Sequence, residues 1–190
     1  MLALIKRDVE RIFSDDPGRL AHIKGVLATA LFLARKHKVS LYRAALAALL
    51  HDITKPFSIS RHRTLILFYY PEELLDIYTP PLYHAFSAAA FAEERYGIDD
   101  RAILNAIASH VVGRPRMSTL EKIIFISDYI EPNRPYEACR EVREIAFKDL
   151  DRAVFQAMDN SIKLFETEDY VPDIAYRARD FYKLRGGSHE

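Results

Sequence analysis

Residues 41–56 read LYRAALAALLHDITKP. Ser40 stands where a helix N-cap belongs, and the Ala- and Leu-rich run behind it suits a helix packed closely on its neighbours. Pro56 ends the segment, because the residue before a proline is pushed out of the helical region. The last polar pair, His51-Asp52, follows Leu46, Leu49 and Leu50, so two ionisable groups sit at the end of an apolar helix. Helical period dominates on both sides of this stretch. Upstream, Ile23, Val26, Leu27, Ala30, Leu33 and Ala34 recur at three and four between about residues 19 and 38. A first helix is expected over 1–13. It reads as amphipathic and not as a signal peptide, since charges break its apolar run by the sixth residue.

Downstream, Pro80-Pro81 open a helix that Gly97 closes, and Asp99-Asp100 cap RAILNAIASH. Ser118 with Glu121 forms a capping box in front of TLEKIIFISDYI, and two or three helices follow from about 136 to 185. The segment 57–80 is assigned to helix or loop, because TLILFYY read as a strand would have no partner. The expectation is an all-α chain folded as one helical bundle over 1–190, with its core at about 15–165. Residues 186–190 are expected to form a flexible tail, and His189 within it is set aside.

Bulk composition excludes more than it assigns. Lys+Arg and Asp+Glu are equal at 27, so no global field favours nucleic acid or an anionic membrane. One cysteine, Cys139, rules out an internal disulfide and a Cys-based zinc site. No uninterrupted apolar stretch is long enough for a membrane span, and a cytoplasmic protein is expected. A homodimer is the commonest assembly among soluble oligomers.

Several apolar helix faces carry an ionisable residue. His22 continues the line of Val26 and Ala30; His110 follows Ile103, Ala106 and Ile107; Asp128 extends Leu120 and Ile124; His84 lies near the start of its helix. Burying a carboxylate costs on the order of several kcal/mol unless it is paired or binds a cation, and a shared metal centre would satisfy the whole set. Taken singly, a histidine such as His22 or His84 is more often a hydrogen-bonded core or surface residue than a ligand, and Asp128 reads as half of a buried ion pair. His37 and His62 lie among basic residues and read as surface groups.

The segments HIKGV, LLHDITK, HAFSAAAF and ILNAIASHVVGRPRMSTLEKIIFISDYIEPNR resemble the HD-domain superfamily. The long run from GRP to EPNR resembles its YqeK-like branch, the symmetrical bis(5′-nucleosyl)-tetraphosphatases. This resemblance, covering roughly residues 15–165, implies a binuclear divalent metal centre, commonly iron, with manganese or zinc also suited to imidazole and carboxylate donors. His22, His51, Asp52 and Asp128 would hold one metal, and Asp52, His84 and His110 the other, with Asp52 bridging. The implied activity is cleavage of diadenosine tetraphosphate into two ADP by a hydroxide shared between the metals. The alternatives are an HD-domain nucleotidase or phosphodiesterase for another small phosphate ester, or a nucleotide-sensing module without turnover.

Asp52 and Lys55 are the expected catalytic residues. Lys55, taken as one helical turn beyond His51, is expected to meet a phosphoryl oxygen. Arg134 and Arg114 are candidate phosphate contacts, with pairing to Glu131 and a solvated loop position as their respective alternatives. Four positions depart from the family's pattern. Val111-Val112 replace two threonines after His110, Ala85 replaces a glycine after His84, and Ser127 replaces an alanine before Asp128. Ser127 is expected to donate a hydrogen bond to that carboxylate.

Overall fold

The computed structural model describes residues 1–166 and 171–185, so the expected flexible tail at 186–190 lies outside the described residues. Every regular element among them is helical. In chain order these are α1 (Leu2–Ile12), α2 (Pro17–Lys36), α3 (Leu41–Leu50), α4 (Ile59–Tyr69), α5 (Leu74–Ile77), a 3₁₀ turn at Pro80–Leu82, α6 (Tyr83–Tyr96), α7 (Arg101–Ala108), α8 (Thr119–Ile130), α9 (Glu137–Ala146), α10 (Leu150–Phe165) and α11 (Asp173–Lys183). None is long and apolar enough to cross a membrane.

Local chemistry sets the boundaries. Asp16, Ser40, Ser58, Asp100, Ser118 and Asp149 each accept a hydrogen bond from a first-turn backbone N–H, satisfying a donor that the helix leaves unpaired. Gly97 closes α6 in the left-handed conformation (φ 63°), where a Cβ is disfavoured. The TLILFYY segment is helical: Ser58 caps α4, which packs on α6 through Leu65 and Ile66, so its backbone groups are satisfied within the helix.

At the centre, every residue of α3 from Ala44 to Leu50 is buried. The methyl-sized side chains let α2, α7 and α8 approach this helix together. α10 then packs on α8, α9 and α11 and covers the bundle's far side. The expected helical register of Lys55 is corrected here. α3 ends at Leu50, and the chain continues through tight turns in which Ile53, Lys55 and Phe57 bond three residues back, to Leu50, Asp52 and Thr54.

The capping box of α8 belongs to a larger buried cluster. Glu121 is 1% exposed; its Oε1 accepts from Ser109 Oγ (3.1 Å) and Arg114 Nε (2.6 Å). Its Oε2 accepts from Arg114 Nη2 (2.9 Å) and the Ser118 backbone N–H (2.8 Å). Glu121→Ala should therefore lower stability by about 2–3 kcal/mol. That figure is below the loss for a fully buried ion pair, because the freed Arg114 side chain, 42% exposed, can rehydrate. A fall in the urea midpoint with an unchanged slope checks it, and a midpoint equal to the parent's would contradict it.

Candidate metal centre

The four histidines come from two helices and two turns. His22 lies on α2, His51 just beyond α3, His84 in the first turn of α6, and His110 just beyond α7. Their rings form a row: His22 to His51, His51 to His110 and His110 to His84 have centroid separations of 5.5, 5.0 and 5.1 Å. Asp52 lies alongside, 3% exposed, and its two oxygens face different pairs. Oδ2 is 3.8 Å from His22 Nε2 and 3.7 Å from His51 Nε2, whereas Oδ1 is 3.3 Å from His84 Nε2 and 3.6 Å from His110 Nε2. Asp128, on α8, places Oδ1 3.1 Å from His22 Nε2. Among the described residues, His22, His51 and Asp52 make one group that could hold a metal ion, and Asp52, His84 and His110 make a second.

The outer ring nitrogens fix the tautomers. His51 Nδ1 lies 2.7 Å from Ala48 O, His84 Nδ1 2.8 Å from Pro81 O and His110 Nδ1 2.7 Å from Ile107 O. A carbonyl only accepts, so each Nδ1 carries the proton and each Nε2 presents a lone pair inward. Inside the cluster, His51 Nε2 is 3.4 Å from His22 Nε2, and His84 Nε2 is 3.3 Å from His110 Nε2. The His84–His110 contact sets two lone pairs against each other with no proton to share. A cation between them resolves that opposition, so the donor set fits a metal on both sides of Asp52.

The charge states agree with this reading. Burial pushes the His51 imidazole down to about 4, despite Asp52 beside it. Burial likewise holds His84 below its ordinary value, although the Asp52 carboxylate beside Nε2 favours the protonated ring and opposes the shift. Burial also works against ionised Asp52 and Asp128. The surrounding imidazoles overcome it at Asp52, and His22 and Arg134 overcome it at Asp128, so both stay well below the usual carboxylate range. The site therefore offers ionised carboxylates together with neutral imidazoles at His51 and His84, the form that binds divalent cations, whereas at His22 burial is outweighed by Asp128, Asp52 and Glu131, which raise its pKa.

Two groups that sequence reasoning missed complete the centre. Arg19 Nη1 donates to Asp52 Oδ2 (2.6 Å), reaching in from one turn before His22. That three-residue spacing on α2 was the available signal. Glu131, 2% exposed, sets Oε1 3.3 Å from His22 Nδ1, and its Oε2 accepts from the Asn133 backbone N–H (2.8 Å) and Nδ2 (2.9 Å). It thus orients the one cluster histidine whose Nδ1 is not placed by a backbone carbonyl.

Arg134 donates to Asp128 Oδ1 (2.8 Å) and not to Glu131. Lys55 Nζ is nearly equidistant from His84 Nδ1 and Nε2, at 3.2 and 3.1 Å. Because Pro81 O takes the in-plane direction at Nδ1, this ammonium lies over the ring face. Burial and Arg19 lower its pKa. Arg19, Lys55 and Arg134 line a cleft of about 250 Å³ whose floor is Asp52, His84, His110 and Asp128.

Three expectations are corrected. Arg114 does not line this cleft, since its guanidinium is held by buried Glu121. His62 is not a surface group: it is 6% exposed, with Nδ1 2.7 Å from Ser87 Oγ. Ser127 Oγ is buried without a hydrogen-bond partner among the described residues, so it does not support Asp128.

A family model of the HD domain matches residues 19–133. The chain is 40% identical over 157 residues to a symmetrical bis(5′-nucleosyl)-tetraphosphatase of Halalkalibacterium halodurans, covering 82% of this chain and 84% of that protein. It is 38% identical over 145 residues to the protein of the same name in Bacillus subtilis, covering 76% and 77% respectively. A crystal structure from Clostridium acetobutylicum, described as a predicted HD superfamily hydrolase involved in NAD metabolism, superposes with a TM-score of 0.90 at 32% identity over 97% of this chain and 98% of that one. By helical fold, by the arrangement of histidines and aspartates, and by these likenesses, the chain belongs to the HD domain family, among the hydrolases of the symmetrical bis(5′-nucleosyl)-tetraphosphatase group.

Proposed function

We propose that this protein cleaves diadenosine tetraphosphate at its centre to give two ADP, as a cytoplasmic enzyme with a binuclear iron site to which manganese or zinc is also suited. The observation that carries the reading is Asp52, whose two oxygens face separate imidazole pairs on the floor of a cation-lined cleft. His22, His51, Asp52 and Asp128 would hold one metal, and Asp52, His84 and His110 the other. Metals bound there supply Lewis acidity and lower the pKa of water towards neutrality.

The chain's own cations determine where a phosphate chain can lie. Lys55 stands at the Oδ1 end of Asp52, over His84, whereas Arg19 and Arg134 stand at the other end, on Asp52 Oδ2 and Asp128. Positive charge therefore flanks the centre on both sides. That suits a substrate whose charge continues in both directions from the cleaved bond, and it favours a dinucleoside polyphosphate over a terminal monoester. The arginines bind phosphate oxygens through their planar forks. Lys55 stabilises charge on the equatorial oxygens as the bond breaks.

Metal-loaded protein incubated with diadenosine tetraphosphate should yield ADP alone on product chromatography. ATP with AMP would mean asymmetric cleavage and refute the central cut. Release of phosphate from mononucleotides, without turnover of the dinucleotide, would assign the protein to another HD-domain activity. Lys55→Ala is expected to keep two metals per chain and lower kcat by about ten- to a hundredfold. Loss of metal from that variant would place Lys55 in support of His84 instead.

A further inference from the structure

Three buried polar side chains from three segments meet behind His84. Thr54 belongs to the turn that carries Asp52 and Lys55, Ser87 lies one turn beyond His84 on α6, and His62 lies one turn into α4. Thr54 and Ser87 are 0% exposed and His62 is 6% exposed. They form a line. His62 Nδ1 is 2.7 Å from Ser87 Oγ, which is 2.8 Å from Thr54 Oγ1, and Thr54 Oγ1 is 3.1 Å from the backbone oxygen of His84. Ser87 Oγ is itself 3.2 Å from that oxygen.

The protons decide which way the line runs. Each hydroxyl has one to give, and the carbonyl only accepts. If Ser87 gives its proton to His62, the Thr54 proton must go either to Ser87 or to His84. One choice leaves the carbonyl without a side-chain donor, and the other leaves the 2.8 Å hydroxyl pair with no proton between them. If His62 donates instead, all three contacts fill at once, from His62 to Ser87, from Ser87 to Thr54 and from Thr54 to His84. Buried polar atoms favour the fully paired order.

We propose that His62 is a positioning residue for the metal on the His84 side of Asp52: its Nδ1–H starts a line through Ser87 and Thr54 that holds the His84 backbone against the Asp52–Lys55 turn. The inference rests on the metal-centre reading and extends it to α4. Thr54 is two residues from Asp52 and next to Lys55, so its bond to His84 O sets the spacing between their turn and the first turn of α6. The approach of His84 Nε2 to Asp52 Oδ1 (3.3 Å) and of Lys55 Nζ to the His84 ring both depend on that spacing. His22 and Asp128, on α2 and α8, do not.

Two measurements test this. In metal-free protein, nitrogen-15 NMR of the histidine rings should show His62 protonated at Nδ1, its signal assigned by its loss in His62→Asn; a lone pair at Nδ1 overturns the proposal. Calorimetric titration with manganese(II) should then show His62→Leu and Thr54→Val each weakening by about tenfold the metal that His84→Ala removes, with the other metal within about threefold of the parent. The double variant should lose no more than either single one, because both cut the same line. His62→Asn, whose amide N–H stands near the place of Nδ1, should restore parental affinity. Thr54→Val carries the test if His62→Leu fails to fold. Parental affinity in the folded variants, equal weakening of both metals, or an Asn variant as weak as the Leu variant each overturns the proposal. A parent that binds no manganese, with the Nδ1 proton in place, would instead overturn the metal reading and leave the hydrogen-bond line standing.

Discussion

Asp52→Ala is expected to lose both metals and to retain less than about a thousandth of the parent activity. The reason is geometric. One carboxylate faces all four histidines, with Oδ2 towards His22 and His51 and Oδ1 towards His84 and His110. Removing any single imidazole would leave one half of the centre its other donors, whereas removing Asp52 takes a donor from both. The fold should survive. Arg19, the cation left without its partner, has a side chain 30% exposed and can turn to solvent, while the surrounding core is the Ala- and Leu-rich packing of α3. Elemental analysis of the purified variant decides the point. Two metals per chain would refute the bridging role, and Asp52→Asn, which keeps shape but loses charge, should fall between the two.

The fold was largely legible in the chain because its helices announce their own ends. Asp16, Ser40, Asp100 and Ser118 lie where a capping oxygen is needed, and Gly97 where a left-handed residue is needed. The cluster was legible for a different reason, as His22, His110 and Asp128 interrupt faces that are otherwise apolar. Periodicity alone could mark those interruptions but not say which of them meet. Their grouping into two sets around Asp52 came from the family resemblance.

What was misread has a common cause, since local polarity is a poor guide to burial. His62 stands between Arg61 and Arg63, yet on α4 those neighbours point elsewhere and its ring reaches Ser87. Arg19 resembles any basic residue near a helix start, and nothing local says that its guanidinium reaches a carboxylate thirty-three positions on. Arg114 was misplaced because the buried acid that claims it, Glu121, also serves as a helix cap. Ser127 was assigned to its chain neighbour Asp128, but adjacent positions on a helix point about 100° apart.

Gly25→Ala should weaken metal binding by about ten- to a hundredfold without unfolding the protein, and the two effects separate for a physical reason. Within a helix, replacing Gly by Ala favours folding by up to about 1 kcal/mol. On α2, however, Gly25 sits one turn after His22, directly under the Glu131 carboxylate. A methyl there would collide with Glu131 Oε2 and stand 3.1 Å from Asn133 Nδ2 and 3.3 Å from Pro132 Cδ. A free glutamate would swing aside at little cost. This one is held at Oε2 by two donors from Asn133 and at Oε1 by His22, so displacement breaks contacts that orient the imidazole. The gain in helix propensity offsets part of that loss in the metal-free fold, whereas nothing offsets it at His22. The metal-free melting temperature should consequently stay within about 5 °C of the parent's. Competitive metal titration should show one of the two sites weakened. If Glu131 transmits the effect, Glu131→Ala and the double variant should show the same weakening, with no further loss on combination. Additive losses would locate the effect of the methyl elsewhere, and parental affinity at both sites would show that His22 does not need the Glu131 carboxylate.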